Sequence, residues 1–487
     1  MTDSYSYAGL LLAVGAVGVA AVLSNRITER LRIPAPALVL AAAALAVQLL
    51  PGVHPPVERT VDHLVTAALI LILFDGGMHI GRRRFAEAAR PIAIVGIAGT
   101  FLTTAGVGLF LHLLVGLSWY PALLVATAVA PTDPAVVFSV LGKREIAGNS
   151  STILEGESGA NDPVGIALMA SLLSAGGLSG AAVGQVTGQF LLQMGVGAAV
   201  GVVGGQALLW FISQVPLPSE GLFPLRTLAC AFALFGLAVL AHGSGFLAVF
   251  VAGICLGDAR APYQREIRQF HAAAASLGEI VAFVVLGLTV QLADLARADV
   301  WIPGLALALV LTLLIRPLLV GLCLLGSGLN RPERVFVLFA GLKGAVPILL
   351  GSFLLGARLA DADRLYGIVV VVVVFSVIVQ GSLLPSVAQA LKLPIRLIEP
   401  QPWSVGVRLR DEPDGAHRLV VAAGSAADGR SIGELAALPA GAWISIVTRQ
   451  GRLVQVSSET TLRAGDEILV VAEARLVGGL EALFERG

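Results

Sequence analysis

Charge is scarce in this chain. Asp, Glu, Lys and Arg make up 13% of its 487 residues, 56% are hydrophobic, and the mean hydropathy is +0.87. No soluble domain of this size has that balance, which leaves a polytopic membrane protein. The charge that is present has no bias of sign, since the formal net charge is zero. A nucleic-acid partner, which needs a basic excess, is thereby excluded. Cysteine is scarcer still. Cys230, Cys255 and Cys323 lie in apolar stretches with no CxxC or histidine spacing, so they read as small buried hydrophobes. No metal-ligand cluster and no Ser/Lys or paired-Asp protease signature is present, which argues against an intramembrane enzyme. A Gly-Tyr-Gly filter segment is also missing, which argues against a channel. The N-terminus has no basic n-region and no small-residue cleavage site, so residues 7–24 read as a retained helix rather than a signal peptide.

Long apolar runs are what the chain has instead. Runs of about 17–25 apolar residues can cross the hydrocarbon layer. Thirteen are expected: 7–24, 33–51, 63–80, 91–115, 119–140, 154–176, 186–213, 224–242, 244–257, 272–294, 303–326, 334–356 and 366–391. Arginine and lysine crowd the loops after odd-numbered spans, as in Arg82-Arg83-Arg84, Lys143-Arg144 and Arg331, whereas the other loops hold only Arg59, Arg297, Arg358 and Arg364. The positive-inside rule then puts the N-terminus outside and the C-terminus in the cytoplasm. A glycine series in the seventh span (Gly195, Gly197, Gly201, Gly204, Gly205) reads as close helix packing. After Pro400 the charge density becomes ordinary. Strands are expected at 419–423, 443–448 and 467–472, with helices at 431–438 and 475–485. The reading is an all-α membrane domain, residues 1–392, and a small cytoplasmic α+β domain, residues 403–487, joined by the stretch 393–402.

The informative residues are the few charges inside the apolar runs. An ionised carboxylate at bilayer depth costs several kcal/mol unless paired or hydrated, and it marks an ion or proton path by default. Span six carries Glu157-Ser158-Gly159-Ala160-Asn161-Asp162, and span five carries Pro131-Thr132-Asp133-Pro134. Ser158 and Asp162 share one helix face, and Glu157 and Asn161 an adjacent one. Asp162 lies deepest. A desolvated carboxylate there can exchange a proton for a hard cation, with oxygen ligands from Asp162, Asp133, the Thr132 carbonyl and the Ser158 hydroxyl. The prolines of span five and Gly341-Leu342-Lys343-Gly344 of span twelve break both helices near mid-membrane. Broken helices in inverted positions point to a transporter with inverted repeats and a midplane site. Asp133 can offset the positive half-helix ends and Lys343 the negative ones. Arg316, deep in span eleven, needs a carboxylate, and Glu157 is the candidate. Asp75 sits near the inner end of span three as a cytoplasmic-mouth acid or an interface cap. Glu279 reads as a structural partner rather than a second site acid. His79, His112 and His242 read as interfacial or packing residues.

These residues resemble a known family. Glu157-Ser158 with Asn161-Asp162-Pro163, Thr132-Asp133-Pro134, Arg316-Pro317 and Gly341-Leu342-Lys343-Gly344-Ala345 look like the NhaP-type antiporters of the monovalent cation:proton antiporter-1 family. The resemblance spans about residues 7–391. It implies a secondary antiporter that exchanges K⁺ or Na⁺ for H⁺ by alternating access in the cell membrane. It also implies a homodimer whose core bundle moves against a dimerisation domain. Asp162 would bind cation and proton alternately, joined by Thr132, Asp133, Ser158 and Asn161, with Glu157 and Arg316 as an ion pair. Lys343 stands where many members have arginine, and Asp75 where many have glutamate. The tail, through Gly429-Arg430-Ser431-Ile432-Gly433-Glu434-Leu435 and Leu462-Arg463-Ala464-Gly465-Asp466, resembles the C-terminal subdomain of RCK (TrkA-C) regulators. That implies the potassium/proton branch and a module that takes small regulators, a cyclic dinucleotide among them. Val456 stands where many such modules have proline. No nucleotide-binding RCK half precedes the tail, so no NAD or ATP cofactor is expected. The alternatives are a Na⁺(Li⁺)/H⁺ antiporter of the same fold and an RCK-gated cation channel.

Overall fold

The computed structural model describes residues 35–49, 55–141, 144–146, 150–397 and 415–485, together with Gly15, Gly18 and Val19. Within those ranges it leaves out Arg260, Arg358, Ala360, Pro394, 436, 437, 440, 450, 451 and 473–475. The chain divides into two compact units, Met1–Ile398 and Glu399–Gly487.

The first unit is built of helices. Those that cover the site are α1 (Ala35–Leu49), α2 (Glu58–Ala93), α3 (Gly99–Phe110), α4 (Trp119–Val129), α5 (Pro134–Leu141), α6 (Ser150–Ala175), α7 (Gly180–Gln214), α8 (Leu222–Leu240), α9 (Gly245–Gly257), α10 (Gln264–Thr289), α11 (Ala298–Val310), α12 (Arg331–Phe339), α13 (Ala345–Gly356), α14 (Ala362–Phe375) and α15 (Gly381–Ala390). Six helical runs among the described residues are long and apolar enough to cross a membrane; α4, α9, α13 and Leu38–Leu49 of α1 are shorter apolar helices. Helix α6 is in neither group, because its carboxylates and small polar residues lower its hydropathy. It is nonetheless buried from Gly156 to Met169 except at Ala160. The expected first span, 7–24, lies almost wholly outside the described residues.

Several expected boundaries move. The loop expected after residue 80 is helical: the run Arg59–Val115 is continuous except for a bend at Gly81, whose φ is 66°. That left-handed conformation suits glycine. It releases the Arg83 backbone N–H, which donates to Asp258 Oδ2 at 2.7 Å and restarts the helix as an N-cap would. Spans five and twelve are broken where the prolines and glycines stand. Helix α4 ends at Val129 and α5 starts at Pro134; α12 ends at Phe339 and α13 starts at Ala345. The two breaks touch, with the Asp133 N–H donating to the Leu342 carbonyl at 2.8 Å. The short strands β1 (Arg144–Ile146) and β2 (Ile395–Leu397) pair antiparallel, with Glu145 opposite Arg396. The backbone after the last helix is thus tied to the connection between α5 and α6.

The second unit is an antiparallel sheet of β3 (Ala416–Val420), β4 (Trp443–Arg449), β5 (Arg452–Val454) and β6 (Glu467–Val471), with α16 (Val477–Phe484). Strand order is β3-β6-β4-β5. Leu419, Val447, Ile468, Val470, Leu480 and Phe484 meet in its core. The helix expected at 431–438 is only a single turn, Ile432–Glu434. The Leu435 N–H donates three residues back to the Ile432 carbonyl, and Leu435 itself leaves the helical region with ψ at 70°, which ends the turn. Strand β5 has no counterpart in the expectations, since three residues are too few to show a period.

Candidate functional site

The two breaks leave helix ends in the interior, and each end is capped from another helix. At the end of α4 the Lys343 ammonium donates to the Ala130 and Pro131 carbonyls at 2.9 and 3.0 Å. At the end of α12 the Arg316 guanidinium donates through Nε to the Leu338 carbonyl at 2.9 Å and through Nη2 to the Val337 carbonyl at 3.4 Å. These are the orphan acceptors that any helix terminus leaves. In each case a cation meets the negative end of the helix dipole. Arg316 Nη2 also donates to Glu157 Oε1 at 2.7 Å, with both side chains at most 4% exposed. The guanidinium therefore links α6 to the end of α12.

Two glycines make this approach available. A Cβ at Gly341 would fall on the Arg316 guanidinium, and one at Gly344 on the Asp133 carboxylate. Asp133 thereby reaches the N-cap position of α13, where the dipole favours an anion.

Thr132 sits in the break before Asp133. Its carbonyl accepts from Ser158 Oγ at 2.6 Å, its hydroxyl from Asn161 Nδ2 at 2.8 Å, and its N–H donates to Asn161 Oδ1 at 3.3 Å. Ser158 and Asn161 thus clamp the break to α6. Asp162 lies beside them, 7% exposed, with Oδ1 lacking a hydrogen-bond partner. It shares a cavity of about 360 Å³ with Ser158, Asp133 and Glu155. Of the residues proposed from the sequence, Asp162, Asp133, Ser158 and Asp75 line this cavity, whereas Thr132, Asn161, Glu157, Arg316 and Lys343 stand behind it.

The cavity includes residues that the sequence reading placed elsewhere. His79, expected as an interfacial or packing residue, lines it and pairs with Asp75, Nδ1 to Oδ2 at 3.2 Å. Glu279 also lines it. By contrast His112 stacks on Trp119 with ring centroids 4.2 Å apart, a packing position. A second group was not among the residues proposed from the sequence. Ser376 Oγ accepts from the Lys343 N–H at 3.0 Å and donates to Gln380 Oε1 at 2.9 Å, and Gln380 Nε2 donates to the Phe339 carbonyl at 2.5 Å. This chain satisfies the backbone of the second break. Its only signal in the sequence is two polar residues one helical turn apart in a valine-rich run.

Among known proteins, residues 17–390 match the family described as "Sodium/hydrogen exchanger, transmembrane", and residues 416–485 match the TrkA-C domain. The chain belongs to the sodium/hydrogen exchanger family. The exchanger is 32% identical over 478 residues to the K(+)/H(+) antiporter NhaP2 of Shewanella oneidensis, covering 96% of this chain and 81% of that one. It is 33% identical over 388 residues to the K(+)/H(+) antiporter NhaP of Alkalimonas amylolytica, covering 79% of this chain and 67% of that one. Its fold is similar to that of the sodium proton antiporter MjNhaP1 from Methanocaldococcus jannaschii. There the TM-score is 0.66 at 24% identity, with 78% of this chain and 99% of the other covered. The exchanger is a multi-pass membrane protein that performs cation:proton antiport, and it is not an enzyme.

Proposed function

We propose that this exchanger moves K⁺ against H⁺, one for one, with Asp162 carrying cation and proton in turn. The observation that carries the reading is the Asp162 carboxylate. Its Oδ1 has no hydrogen-bond partner, and it faces the same cavity as Asp133 and Ser158. Glu157, the other buried acid on α6, pairs with Arg316 and does not line the cavity, so Asp162 is the buried α6 acid that a ligand there can meet. Asp133 and Ser158 supply further oxygens, as a hard monovalent cation requires. The Thr132 carbonyl, already accepting from Ser158, has a second lone pair to offer. K⁺ is favoured over Na⁺ by the names of the full-length relatives and by the attached TrkA-C module. One-for-one exchange is supported by Asn161. This neutral residue beside Asp162 has both ends of its amide bonded to Thr132, so it adds no second charge.

The same reading takes in the architecture. The exchanger has thirteen spans in inverted repeats, residues 1–392, and works as a homodimer in the cell membrane with its N-terminus outside. Residues 403–487 form a cytoplasmic regulator for a small ligand, a cyclic dinucleotide or other nucleotide being the candidate. Regulation reaches the core through β2, which continues the chain from the last helix and pairs with β1 in the connection between α5 and α6.

The test is exchange in proteoliposomes titrated with K⁺, Na⁺ and Li⁺ while internal pH is read. Asp162→Asn abolishes cation-dependent proton movement in a folded protein; retained exchange in that variant would falsify the assignment. In the wild type, one pH unit balances about a tenfold cation gradient, each worth about 1.4 kcal/mol. A net charge moved would instead couple turnover to voltage at about 2.3 kcal/mol per 100 mV. Membrane currents that scale with turnover would overturn the one-for-one stoichiometry.

A further inference from the structure

Helix α10 supplies a wall of the cavity through one stripe: Ala272, Ala275, Ser276, Glu279 and Phe283. The spacing of three and four residues is that of a single helix face. Three of these side chains are small, so the carboxylate of Glu279 is the dominant polar group on that stripe. Glu279 lies about 15 Å along the helix from its C-terminal end, at 1.5 Å per residue, well inside the span. Its Oε1 is buried and has no hydrogen-bond partner. No lysine or arginine among the described residues lies within ion-pair distance of it; the recorded pairs of the membrane unit belong to Asp75, Glu87, Glu157 and Asp299. A carboxylate held purely for structure at this depth would be matched to a fixed cation or a donor, as Glu157 is matched to Arg316. Among the described residues Glu279 has no such cation, its buried Oε1 has no donor, and it opens onto the space that Asp162 also faces.

We propose that Glu279 is a cation-facing residue of the exchange reaction: from the α10 side of the cavity it holds the incoming monovalent cation electrostatically and so sets the apparent affinity of the Asp162 site. This rests on the reading of the cavity as the ion route. The other titratable groups facing that space are Asp75 and His79 from α2, Glu155 and Asp162 from α6, and Asp133 from the first break. Asp75 shares its charge with His79, and Asp133 sits against the N-terminus of α13. Glu279 is therefore the acid off α6 whose charge is least committed to the protein. In this role the side chain does not replace Asp162 as the carrier. It lowers the energy of a cation near the carrier, an attraction that grows as water is excluded.

The experiment uses the full-length exchanger in proteoliposomes, with K⁺ as the probe and exchange followed by internal pH. Glu279→Gln is expected to raise the K⁺ concentration for half-maximal exchange about tenfold, with the maximal rate within about twofold of the wild type. Glu279→Asp keeps the charge but draws it back by one methylene and is expected to shift half-saturation about two- to threefold. An unchanged half-saturation in Glu279→Gln overturns the proposal. So does an equal drop of maximal rate in both variants at unchanged half-saturation, which marks a packing role. Should the Gln variant fail to assemble, an Asp variant with wild-type half-saturation overturns it as well. Failure of the ion-route reading shows separately, as exchange that survives Asp162→Asn.

Discussion

Glu157 and Asp162 share one helix and are both buried, yet the fold treats them differently. Glu157 is ion-paired with Arg316 away from the cavity lining, whereas Asp162 lines the cavity with Asp133. The position of Asp133 depends on a residue with no side chain. Gly344→Ala would put a methyl group where the Asp133 carboxylate sits, so the carboxylate must leave the N-terminus of α13. Half-saturation for the cation should then rise about tenfold, roughly 1.4 kcal/mol, in a protein that still folds; unaltered transport kinetics would show that Asp133 is not held there. In the tail, Arg449 clamps Asp466 through Nε at 2.8 Å and Nη2 at 2.7 Å, and the Arg463 N–H donates to the same carboxylate at 2.9 Å. Burial alone would raise this carboxyl, but the Arg449 and Arg463 hydrogen bonds and charges outweigh burial and hold it below the usual carboxylate range. A carboxyl depressed on folding contributes stability above its unfolded value, about 3.9, and that stability is lost as pH falls through the lower folded value. Hydrogen exchange at the β4 and β6 amides of the full chain should therefore quicken below about pH 4. Asp466→Asn should abolish that acid sensitivity, with amides less protected at neutral pH.

At the scale of elements, the two broken helices are held by capping from outside. Lys343 caps the end of α4, and Arg316 caps the end of α12 while pairing with Glu157. Replacing one member of the buried pair should cost about 3–5 kcal/mol, because it strands the other charge. Glu157→Gln with Arg316→Met should cost less than the sum of the two single changes. It should still fall short of full recovery, since the Leu338 and Val337 carbonyls lose their donor with the guanidinium. Thermal unfolding of the four members of the cycle decides this, and strictly additive losses would argue that the pair carries no coupling. The breaks themselves were readable in Pro131, Pro134, Gly341 and Gly344. The Ser376–Gln380 network behind them was not, because hydrogen-bond partners 33 and 41 residues away leave no local pattern.

At the scale of the whole molecule, residues 1–398 contain the complete cavity, its acids and both capped breaks. Cutting the chain near Pro400 should leave a folded exchanger that retains transport but has an altered pH or ligand response. A small ligand of the tail could shift transport only by its differential affinity for two states of that domain. Such a cut keeps β2 and its ladder to β1, so basal exchange should survive. The comparison is the pH–activity profile of full-length and truncated protein at matched reconstitution. Identical profiles would remove the regulatory role, and a well-folded truncation with no exchange would make the tail part of transport or assembly.

Hydropathy and helix-breaking chemistry are local, and the sequence by itself determined what depends on them. That covers a many-helix membrane unit, interruptions at 131–134 and 341–344, a small sheet-bearing tail, and the buried charges Asp162, Glu157, Arg316 and Lys343 as the informative ones. Tertiary structure decided how those charges are used. It spent Asn161 on Thr132, and it turned His79 and Glu279 toward the cavity that Asp162 faces. It also tied the start of the expected 431–438 helix to a neighbouring segment, through the Ile432 and Gly433 N–H groups, and left a single turn, Ile432–Glu434. The physical reason is the same in each case. The cost of a buried polar group is set by the partner it finds, and that partner stands on another element whose distance along the chain carries no signal.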